Sequence, residues 1–560
     1  MTQSTEPAPS DEPTPSEVSG ANGDRRRPPF ALEDPMIRFD ARVLDPTTAV
    51  RLPDGNPPSP TVYVGDTLLI TAAGLDDAQE LLSLLQEAVK ASRLPLELAG
   101  RDPFENTDDP EHDRRARLLR LAAERKLPLV FPVRFRPAGD GPAAAVDVWP
   151  LLQFIRFAGR TGAGDDRAER LSKAAGLNHL MSSAAVISGS PFMRGGAVIS
   201  GDPFMRGGAV VAGSPFMRGG AAGGVMSYVT AGSGGRGPVS VVLPPPLRSS
   251  KLPAPHVIVL DTGVGEHPWF DAQAVRVGLE YADPQHPGTP LRIGMDPLDA
   301  AVIASDPEAA GAIPDPMTGL LDTHAGHGTF IAGLLRQACA DADITAVRVM
   351  DSDGIVPELM LTDALIGLAV VQTDHKPYID ALVMSLGYYS ETGDDVTYTA
   401  GLRPLVLTLA ALGVAIFCAA GNDSTQRRSY PAAFSDDPAF AGGQHLPMAS
   451  VAALNPDSTV ALFSNDGDWV NSEAPGANLV STAPIRARGS WTQDTYFVAP
   501  DKSRRGTIDP DSFASGFSTW SGTSFAAPVL AGRYLARLAS AAVARTVAAR
   551  EPLLGLGRGA

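Results

Sequence analysis

The sequence predicts an α/β protein in which a doubly wound, mostly parallel sheet is preceded by a small α/β N-terminal domain. Residues 251–550 alternate short apolar runs with stretches of helical length, a pattern typical of parallel sheets covered by helices on both faces. Residues 35–175 also mix strand and helix patterns. Between these parts, glycine and proline are concentrated over residues 176–250, which indicates a linker.

The composition of the 560-residue chain limits the classes of protein that it can form. Hydrophobic residues make up 44%, and no run approaches the ~18 uninterrupted apolar residues that a membrane span requires. The formal net charge of −17 disfavours nucleic acid as a partner, because phosphate binding depends on clustered cations. We therefore expect neither a membrane span nor nucleic-acid binding.

Two further features concern the cellular compartment. The two cysteines, Cys339 and Cys418, are too few for a disulfide scaffold or a four-cysteine metal site. Residues 1–27 lack a basic start followed by an apolar stretch, so they do not look like a secretory signal. Residues 1–34 as a whole combine acidic, Pro and Ser residues. They also lack the apolar surface that would offset the entropy of ordering. We expect a disordered tail and a cytoplasmic protein.

The N-terminal domain is predicted to contain both strands and helices. The turn-like Gly65-Asp66 between two apolar runs indicates a β-hairpin. Further along, apolar residues at helical spacing indicate a helix, with Asp77 and Glu80 as a capping pair at its start. The predicted elements are a hairpin over 62–70, helices over 78–89, 114–125 and 147–158, and an edge strand over 129–135 that contains Pro132.

Three copies of the sequence Pro-Phe-Met-Arg-Gly-Gly-Ala lie in the linker, with a period of 12 residues. They end the segments Ser190–Ala197, Asp202–Ala209 and Ser214–Ala221. Each copy has a proline that limits strand pairing and a glycine pair that lowers order. A flexible linker is therefore favoured over a compact solenoid.

The strands predicted in residues 251–550 are four short apolar runs: Val257–Leu260, Ile344–Val349, Ala381–Met384 and Val414–Cys418. The helices predicted between them include 359–371 and 401–412, with Gly413 where a C-terminal cap belongs. Residues 551–560 are predicted to be a tail. In a doubly wound sheet, sites form at the carboxyl ends of the strands, so the first functional candidates are expected there.

Three residues stand where such a site would form. Asp261 directly follows the first strand, and His327 precedes a glycine and an apolar helix. Ser524 opens a long Ala- and Leu-rich helix that runs to about Arg550, with small residues on both sides of the serine. Each residue by itself also has an ordinary structural explanation, as a turn aspartate, a capping histidine or a capping serine.

Taken together, in the order Asp, His, Ser, these segments resemble the subtilisin-like serine proteases, the subtilase family. The segments are Val-Leu-Asp261-Thr-Gly, His327-Gly-Thr-Phe-Ile-Ala-Gly and Ser-Gly-Thr-Ser524-Phe-Ala-Ala-Pro, and the resemblance covers about residues 251–545. It implies that Ser524 is the nucleophile and His327 the general base and then acid. Asp261 would hold the imidazole tautomer and stabilise the imidazolium. A serine hydroxyl needs such a base to become a strong nucleophile.

The resemblance also implies residues that stabilise and bind the substrate. Asn422, at the end of Cys-Ala-Ala-Gly-Asn, would donate to the developing oxyanion. An extended peptide would pair with residues on the two sides of the first pocket: Ser385, Leu386 and Gly387, and Ala419, Ala420 and Gly421. Tyr388 stands where many relatives have a second glycine, so no side-chain preference is predicted.

No metal or other cofactor is predicted. His324 and His327 have the i, i+3 spacing of metal ligands, but no third ligand can be named. Asp351 and Asp353, followed by Gly354, resemble a fragment of a calcium loop that lacks the remaining ligands. A structural calcium ion is therefore not indicated.

The leading prediction is a serine endopeptidase that cleaves protein or peptide substrates through an acyl-enzyme. One alternative is an inactive or autoinhibited peptide-binding scaffold, whose cleft is blocked by the N-terminal domain or by two long segments, 265–321 and 485–517, read as surface loops. A metallohydrolase is a second alternative.

The N-terminal domain resembles a prodomain in size and position, and an adaptor role stays open. The repeats are either a plain spacer or a segment that the protease cleaves or holds in its cleft.

Overall fold

The computed structural model describes residues 35–51, 57–100, 102–105, 109–139, 145–161, 166–183, 228, 235–242, 244–249, 254–295, 308, 321–375, 378–392, 401–541 and 547–556. The tail predicted over residues 1–34 and the three repeats lie outside these residues, so both stay predictions.

The described part of the N-terminal domain is a small α/β unit. Its helices are α1 (Pro35–Arg38), α2 (Leu75–Ser92), α3 (Pro110–Glu124), α4 (Trp149–Thr161) and α5 (Asp166–Ala174). Its strands are β1 (Ala41–Leu44), β2 (Thr61–Ala72), β3 (Leu96–Ala99), β4 (Leu129–Pro137) and β5 (Ala175–Ser183). These strands pair antiparallel in the order β5-β2-β4-β3, with β1 beside β2.

The predicted helices of this domain are present with shifted ends. The N-cap of α2 is Gly74, and Asp77 in the first turn accepts a hydrogen bond from the Ala73 N–H at 2.6 Å. α3 begins at Pro110, earlier than predicted, because the side chain of Asp109 caps it. α5 was not predicted.

The hairpin predicted over residues 62–70 is wrong. These residues form the middle of one strand, β2, which is 12 residues long. A Cβ atom at Gly65 would lie 2.9 Å from the carbonyl oxygen of Asp40. The glycine therefore permits the close approach of a neighbouring segment instead of forming a turn.

The prediction of an edge strand over 129–135 is also wrong, because β4 lies between β2 and β3. Pro132 is opposite Leu69 of β2, whereas β3 pairs with residues 134–137. The proline lies beyond the end of β3, so its missing N–H removes no hydrogen bond to that strand.

The strands after the linker are β6 (Gly237–Pro238), β7 (His256–Asp261), β8 (Val275–Val277), β9 (Leu279–Tyr281), β10 (Leu291–Ile293), β11 (Asp343–Arg348), β12 (Ile355–Pro357), β13 (Ala381–Met384), β14 (Leu386–Tyr389), β15 (Ala415–Ala419), β16 (Ser429–Tyr430), β17 (Ala449–Leu454), β18 (Ser472–Pro475), β19 (Leu479–Thr482), β20 (Tyr496–Val498), β21 (Arg504–Gly506) and β22 (Phe517–Trp520). The α-helices are α6 (His327–Ala338), α7 (Glu358–Asp374), α8 (Leu402–Ala411), α9 (Thr523–Ala541) and α10 (Val547–Arg550). Single 3₁₀ turns cover Ala432–Asp436, Pro438–Gly442 and Glu551–Leu553.

The central sheet of this C-terminal domain is parallel and doubly wound, as predicted. Its order is β18-β17-β15-β13-β7-β11-β8, and every neighbouring pair is parallel. Val257 and Val259 of β7 share an apolar cluster with α6 and α9. Ile258 and Leu260, on the opposite face, share a cluster with α7 and α8. Burial on both faces explains why these strands are continuous apolar runs.

The boundary predicted at residue 175 is wrong, because Ala175 begins β5. β5 pairs with β2, and its last residues then lie between β12 and β14, antiparallel to both. β14 pairs in turn with β16. One sheet therefore runs from the N-terminal domain into the C-terminal domain, and the predicted linker loses the residues up to Ser183.

Part of the segment 265–321 belongs to the core and is not the surface loop that was predicted. β9 and β10 form an antiparallel pair whose apolar side chains are buried against α7. Arg125, the C-cap of α3, donates to Tyr281 Oη at 2.7 Å, which ties this pair to the N-terminal domain. In contrast, β20 and β21 in the segment 485–517 are exposed.

The C-terminal end also differs from the prediction. The helix that begins beside Ser524 is described from Thr523 to Ala541, and α10 covers Val547–Arg550. The residues between them lie outside the described ranges, so the predicted extent to about Arg550 stays a prediction. The predicted tail begins with the 3₁₀ turn Glu551–Leu553, and Leu554 is fully buried in the cluster that contains Leu538. Across the described ranges, we find no helix that is both long and apolar enough to cross a bilayer.

Candidate active site

Asp261 and His327 meet at the carboxyl end of the parallel sheet. Asp261 is the last residue of β7, and His327 is the first residue of α6. His327 Nδ1 lies 2.7 Å from Asp261 Oδ1, and both side chains are fully buried. Since a carboxylate accepts, Nδ1 carries the proton and donates it, which leaves Nε2 as an acceptor.

The turn after β7 fixes the aspartate. Asp261 Oδ1 also accepts from the Thr262 N–H at 2.8 Å, and Thr262 Oγ1 accepts from the Gly328 N–H at 3.0 Å. A Cβ atom at Gly328 would lie 2.0 Å from the carbonyl oxygen of Gly263. Glycine at this position therefore allows the first turn of α6 to pack against the turn after β7.

Ser524 lies at the start of α9 and is buried. Its Oγ donates to the carbonyl oxygen of Ser385 at 3.3 Å, while Ser385 Oγ donates to the Ser524 carbonyl oxygen at 2.8 Å. His327 Nε2 instead accepts from Ser183 Oγ, the last residue of β5, at 3.0 Å. Within the described part of the chain, no hydrogen bond joins Ser524 to His327.

Asn422 lies beside Ser524 in a defined orientation. Its carbonyl oxygen Oδ1 accepts from the Thr523 N–H at 3.0 Å and from Thr523 Oγ1 at 2.9 Å. Thr523 Oγ1 accepts in turn from the Gly421 N–H at 3.0 Å. Both contacts involve the oxygen of the Asn422 amide, so its nitrogen Nδ2 points away from Thr523. Sequence reasoning missed Thr523, although it immediately precedes the candidate nucleophile.

A second residue that sequence reasoning did not single out, Asn465, holds the strand end that carries Ala419, Ala420 and Gly421. Asn465 Nδ2 donates to the Ala420 carbonyl oxygen at 2.9 Å, and Oδ1 accepts from the Asp423 N–H at 3.0 Å. Gly421 has φ of 107°, and a Cβ atom there would lie 2.3 Å from Asn465 Nδ2. Only glycine fits both the backbone angle and this contact.

The predicted peptide-binding residues are paired with the protein's own β5. Leu386 lies opposite Ser183, and Gly387 lies opposite Ser182. On the other side of β5, Ile355–Pro357 lie opposite Ser182, Met181 and Leu180, and the Ser183 N–H donates to the Gly354 carbonyl oxygen at 2.9 Å. β5 is therefore the central strand of three antiparallel strands in the cleft. Strand addition of this kind is also a common way in which proteins bind extended peptides.

A buried charge cluster holds β5 to the C-terminal domain. His179 Nδ1 lies 2.6 Å from Glu358 Oε2, and Nε2 lies 2.8 Å from Glu391 Oε2. Arg156 of α4 pairs with Glu391 Oε1 at 2.7 Å. The ring of Tyr388 stacks on His179 with centroids 4.1 Å apart, so this unusual tyrosine faces the docked strand.

Protonation states follow from this arrangement. Burial alone would lower the pKa of His179, but Glu391 and Glu358 outweigh it and raise the pKa to about 9. Burial favours the neutral form of Glu391, but Arg156 and His179 hold its pKa well below its ordinary value. His179 is therefore a buried imidazolium between two carboxylates at neutral pH.

The other candidates have structural partners. His324 Nδ1 lies 3.0 Å from the Asp353 carbonyl oxygen, and burial lowers the pKa of His324 well below its ordinary value, with His327 and Arg236 acting in the same direction. Asp351 and Asp353 both pair with Arg38 of the N-terminal domain, at 3.3 and 2.8 Å. No group of three or more His, Cys, Asp or Glu residues suited to a metal occurs among the residues that the structure describes.

Cys339 and Cys418 are both buried and free. Burial raises the pKa of both thiols, which keeps them protonated and poorly nucleophilic.

An aspartate, a histidine and a serine gathered at the carboxyl end of a parallel sheet, with an oriented asparagine beside the serine, are typical of serine hydrolases. The model of the subtilase family matches residues 254–549, just over half of the chain. The chain belongs to the subtilase family.

Individual relatives are similar over shorter stretches. The major intracellular serine protease of Bacillus subtilis is 26% identical over 197 residues, 33% of this chain and 54% of that protein. Halolysin of Haloferax mediterranei is 32% identical over 117 residues, 21% of this chain and 15% of that protein. The thermophilic serine proteinase of a Bacillus species is 25% identical over 227 residues, 40% of this chain and 45% of that protein. The chain thus spans about half or less of these curated relatives.

Among solved structures, the crystal structure of a cold adapted subtilisin-like serine proteinase aligns with 54% of this chain and 79% of its own chain. The TM-score is 0.32 and the sequence identity is 19%.

Proposed function

We propose that the protein is a serine endopeptidase that uses Ser524, His327 and Asp261, and that its own β5 strand inhibits it by occupying the cleft. The observation that carries the proposal is the 2.7 Å hydrogen bond between Asp261 and His327, beside a serine at the start of a helix. Family membership and the serine protease relatives support this reaction class.

The proposed reaction begins when Ser524 Oγ attacks the carbonyl carbon of the scissile peptide bond and its proton passes to His327 Nε2. The tetrahedral intermediate collapses to an acyl-enzyme as the imidazolium gives that proton to the leaving amine. Water then attacks the acyl-enzyme with His327 again as the base. Asp261 stabilises the imidazolium in both halves of the reaction.

Asn422 is proposed to stabilise the oxyanion. Thr523 engages the carbonyl end of its amide, so the nitrogen end is oriented before the reaction begins. A donor fixed in advance is effective because no reorganisation is needed when charge develops.

The proposed inhibition has two components. First, β5 uses the backbone groups of β12 and β14 that an extended substrate would need. Second, the hydroxyl of Ser183 takes the hydrogen bond of His327 Nε2 that Ser524 needs. A docked β5 therefore both blocks the cleft and separates the nucleophile from its base.

Autoprocessing is part of the proposal. The chain direction of β5 leads towards the candidate triad, so a cut would fall on the C-terminal side of Ser183. The three repeats belong to that stretch of sequence, outside the described residues, and their cleavage stays a prediction. Tethering raises the effective concentration of such a segment to the millimolar range, which favours cleavage even of a poor sequence match.

The experiment is labelling of the purified full chain with a fluorophosphonate probe, followed by intact mass measurements over time. We expect wild type to be labelled and to be cut after Ser183, and Ser524→Ala to show neither event. Ser540→Ala is the matched control, because Ser540 is exposed on the same helix. Labelling that survives in Ser524→Ala contradicts the assigned nucleophile.

An inactive peptide-binding scaffold is the second candidate, and the observation that favours it is the bond of Ser524 Oγ to Ser385 rather than to His327. Labelling tests it directly. If wild type reacts with no probe even when β5 is displaced, the scaffold is correct. Activity that EDTA removes and Zn²⁺ restores would instead favour a metallohydrolase.

A further inference from the structure

Glu308 is a buried carboxylate that the sequence motifs did not single out. It lies in the long segment 265–321, and only 2% of it is exposed. The carboxylate sits between the turn that follows β7 and the first turn of α6. These two turns hold Asp261 and His327.

Three hydrogen bonds join Glu308 to the two turns. Oε1 accepts from Thr262 Oγ1 at 2.9 Å and from the Gly326 N–H at 2.6 Å. Oε2 accepts from Thr329 Oγ1 at 2.5 Å. Thr262 directly follows Asp261 and donates its N–H to that carboxylate, whereas Gly326 directly precedes the histidine. One side chain therefore connects both members of the pair.

Glu308 also places a hydrogen-bond acceptor at the start of α6, which has no side-chain cap of its own. The N-cap of this helix is Gly326, which has φ of 86° and no side chain to accept a hydrogen bond. The first N–H groups of a helix carry partial positive charge and favour a nearby anion. The Glu308 carboxylate accepts from the N–H of Gly326 itself and places a negative charge at this end, while the Gly328 N–H of the first turn donates to Thr262 Oγ1.

The backbone around Glu308 is closely packed. A Cβ atom at Gly265 would lie 2.4 Å from the Glu308 carbonyl oxygen. The Gly265 N–H donates to Thr329 Oγ1 at 2.9 Å, so the same threonine joins all three segments. A side chain at residue 265 would push Glu308 away from its three donors.

Arg236 provides the balancing charge. It is buried, its Nη2 donates to the Asp322 carbonyl oxygen at 2.9 Å, and its Nη1 donates to the Ala325 carbonyl oxygen. Its guanidinium lies 5.0 Å from the ring centroid of Trp520. Burial lowers the pKa of Arg236 to about 10, and the nearby carboxylate of Glu308 opposes this shift. The side chain remains a cation at neutral pH.

The position of Arg236 in the chain is informative. It precedes β6, which pairs with β22 just before the segment of Ser524. It also lies before residue 254, where the family match begins. A residue in the predicted linker thus reaches the turn that leads into His327.

We propose that Glu308, balanced by Arg236, is a positioning residue that fixes Asp261 and His327 relative to each other. The proposal rests on the proposed protease function. Without the carboxylate, Thr262 Oγ1 and the Gly326 N–H lose an acceptor, so the geometry of the pair relaxes. Small misplacements of catalytic groups lower turnover by up to about 100-fold. None of the bonds described for Glu308 goes to β12 or β14, so KM is expected to change little.

A pH profile separates positioning from mere stability. The titratable groups in contact with His327 are Asp261, 2.7 Å from Nδ1, and His324, whose ring centroid lies 5.5 Å away. Glu308 and Arg236 contact the turns that hold this pair. Loss of a nearby negative charge makes the imidazolium less favourable. The acid limb of kcat/KM should therefore move to lower pH in Glu308→Gln. A variant that is only less stable would keep the limb in place.

The experiment compares full-length wild type, Glu308→Gln and Glu280→Gln. Glu280 is an exposed acid in the same long segment and serves as the control. Steady-state peptide hydrolysis is measured against pH and normalised to the fluorophosphonate-titrated sites. We expect kcat of Glu308→Gln to fall 10- to 100-fold with KM within twofold, and Glu280→Gln to match wild type.

Unchanged kcat and an unchanged acid limb in folded Glu308→Gln would overturn the proposal. If Glu308→Gln does not fold, Arg236→Lys and Arg236→Gln are compared instead. The proposal requires kcat to fall in Arg236→Gln and to be retained in Arg236→Lys. Equal kcat in these two variants overturns the proposal. An inactive wild type that resists labelling points instead to failure of the proposed function.

Discussion

Raising the pH should release β5 from the cleft, because His179 must be protonated to lie between Glu358 and Glu391. Loss of its proton leaves two buried carboxylates with Arg156 as the nearby cation. The two neighbouring tyrosines, Tyr63 and Tyr388, have raised pKa values because of burial, so they do not titrate first. His179 is therefore the group that responds.

The magnitude follows from the pKa of His179, which rises from 6.5 to about 9 when β5 is docked. This difference corresponds to about 3 kcal/mol, on the order of 100-fold in the docking equilibrium. Because docking raises the pKa of His179, the protonated histidine stabilises the docked state. This stabilisation is fully present below pH 6.5 and is lost as the pH rises through about 9. Glu391 has a lowered pKa, so its contribution is lost only in acid.

The assay is hydrogen exchange of the backbone amides of residues 180–183 in full-length Ser524→Ala, which cannot cut itself. Rates are corrected for the intrinsic pH dependence, and β7 serves as the internal reference. Between about pH 6 and pH 10, protection of β5 should fall on the order of 100-fold. With His179→Gln added, protection should be low at both pH values.

The matched control adds His112→Gln instead, because His112 is a half-buried histidine of α3 whose Nε2 contacts the Asp102 carbonyl oxygen and not β5. This variant should behave like its parent. If protection of β5 changes less than threefold across this range, or if His179→Gln keeps the full pH dependence, the reasoning is refuted.

Three further predictions concern the cleft and the core. Asn422→Ala should lower kcat by about 10²- to 10³-fold with little change in KM, and a rise in KM alone would contradict its role. Ser183→Ala should speed fluorophosphonate labelling of the full chain by about two- to tenfold, because His327 Nε2 loses its hydrogen bond to Ser183. Equal labelling rates in the variant and wild type would show that this hydrogen bond does not restrain the site. Gly532→Val should lower the free energy of unfolding in urea by about 1–3 kcal/mol, because a Cβ atom at residue 532 would lie 2.4 Å from Ala338 Cβ. Unchanged stability would show that α6 and α9 can move apart freely.

The strands of the C-terminal domain were predictable because both faces of the sheet are buried. β7, β11, β13 and β15 are continuous apolar runs, and their predicted bounds agree with the structure to within one residue at most ends. Family membership was predictable for a related reason, because each member of the candidate triad lies in a short segment whose neighbours carry the family pattern. Local sequence was sufficient wherever local burial or a local turn decided the structure.

Errors arose where a local signal was ambiguous. Gly65-Asp66 has the composition of a turn, yet β2 continues through it because β1, β4 and β5 all pair with this long strand. The sequence of β5 has no clear alternation, because nearly all of its residues are buried between partners on both sides. No periodicity then marks it as a strand.

The sequence by itself determined the α/β class, the parallel sheet and the resemblance to the subtilase family, and it supplied the candidate residues of a serine protease site. Only the tertiary structure decided which distant segments contact these candidate residues. Ser183 meets His327 across 144 positions of the chain, and His179 meets Glu391 across 212. Such contacts depend on which strand edges and buried charges remain without partners after each domain has formed. Periodicity within a segment reports the burial of that segment, and it carries no information about a partner so far away.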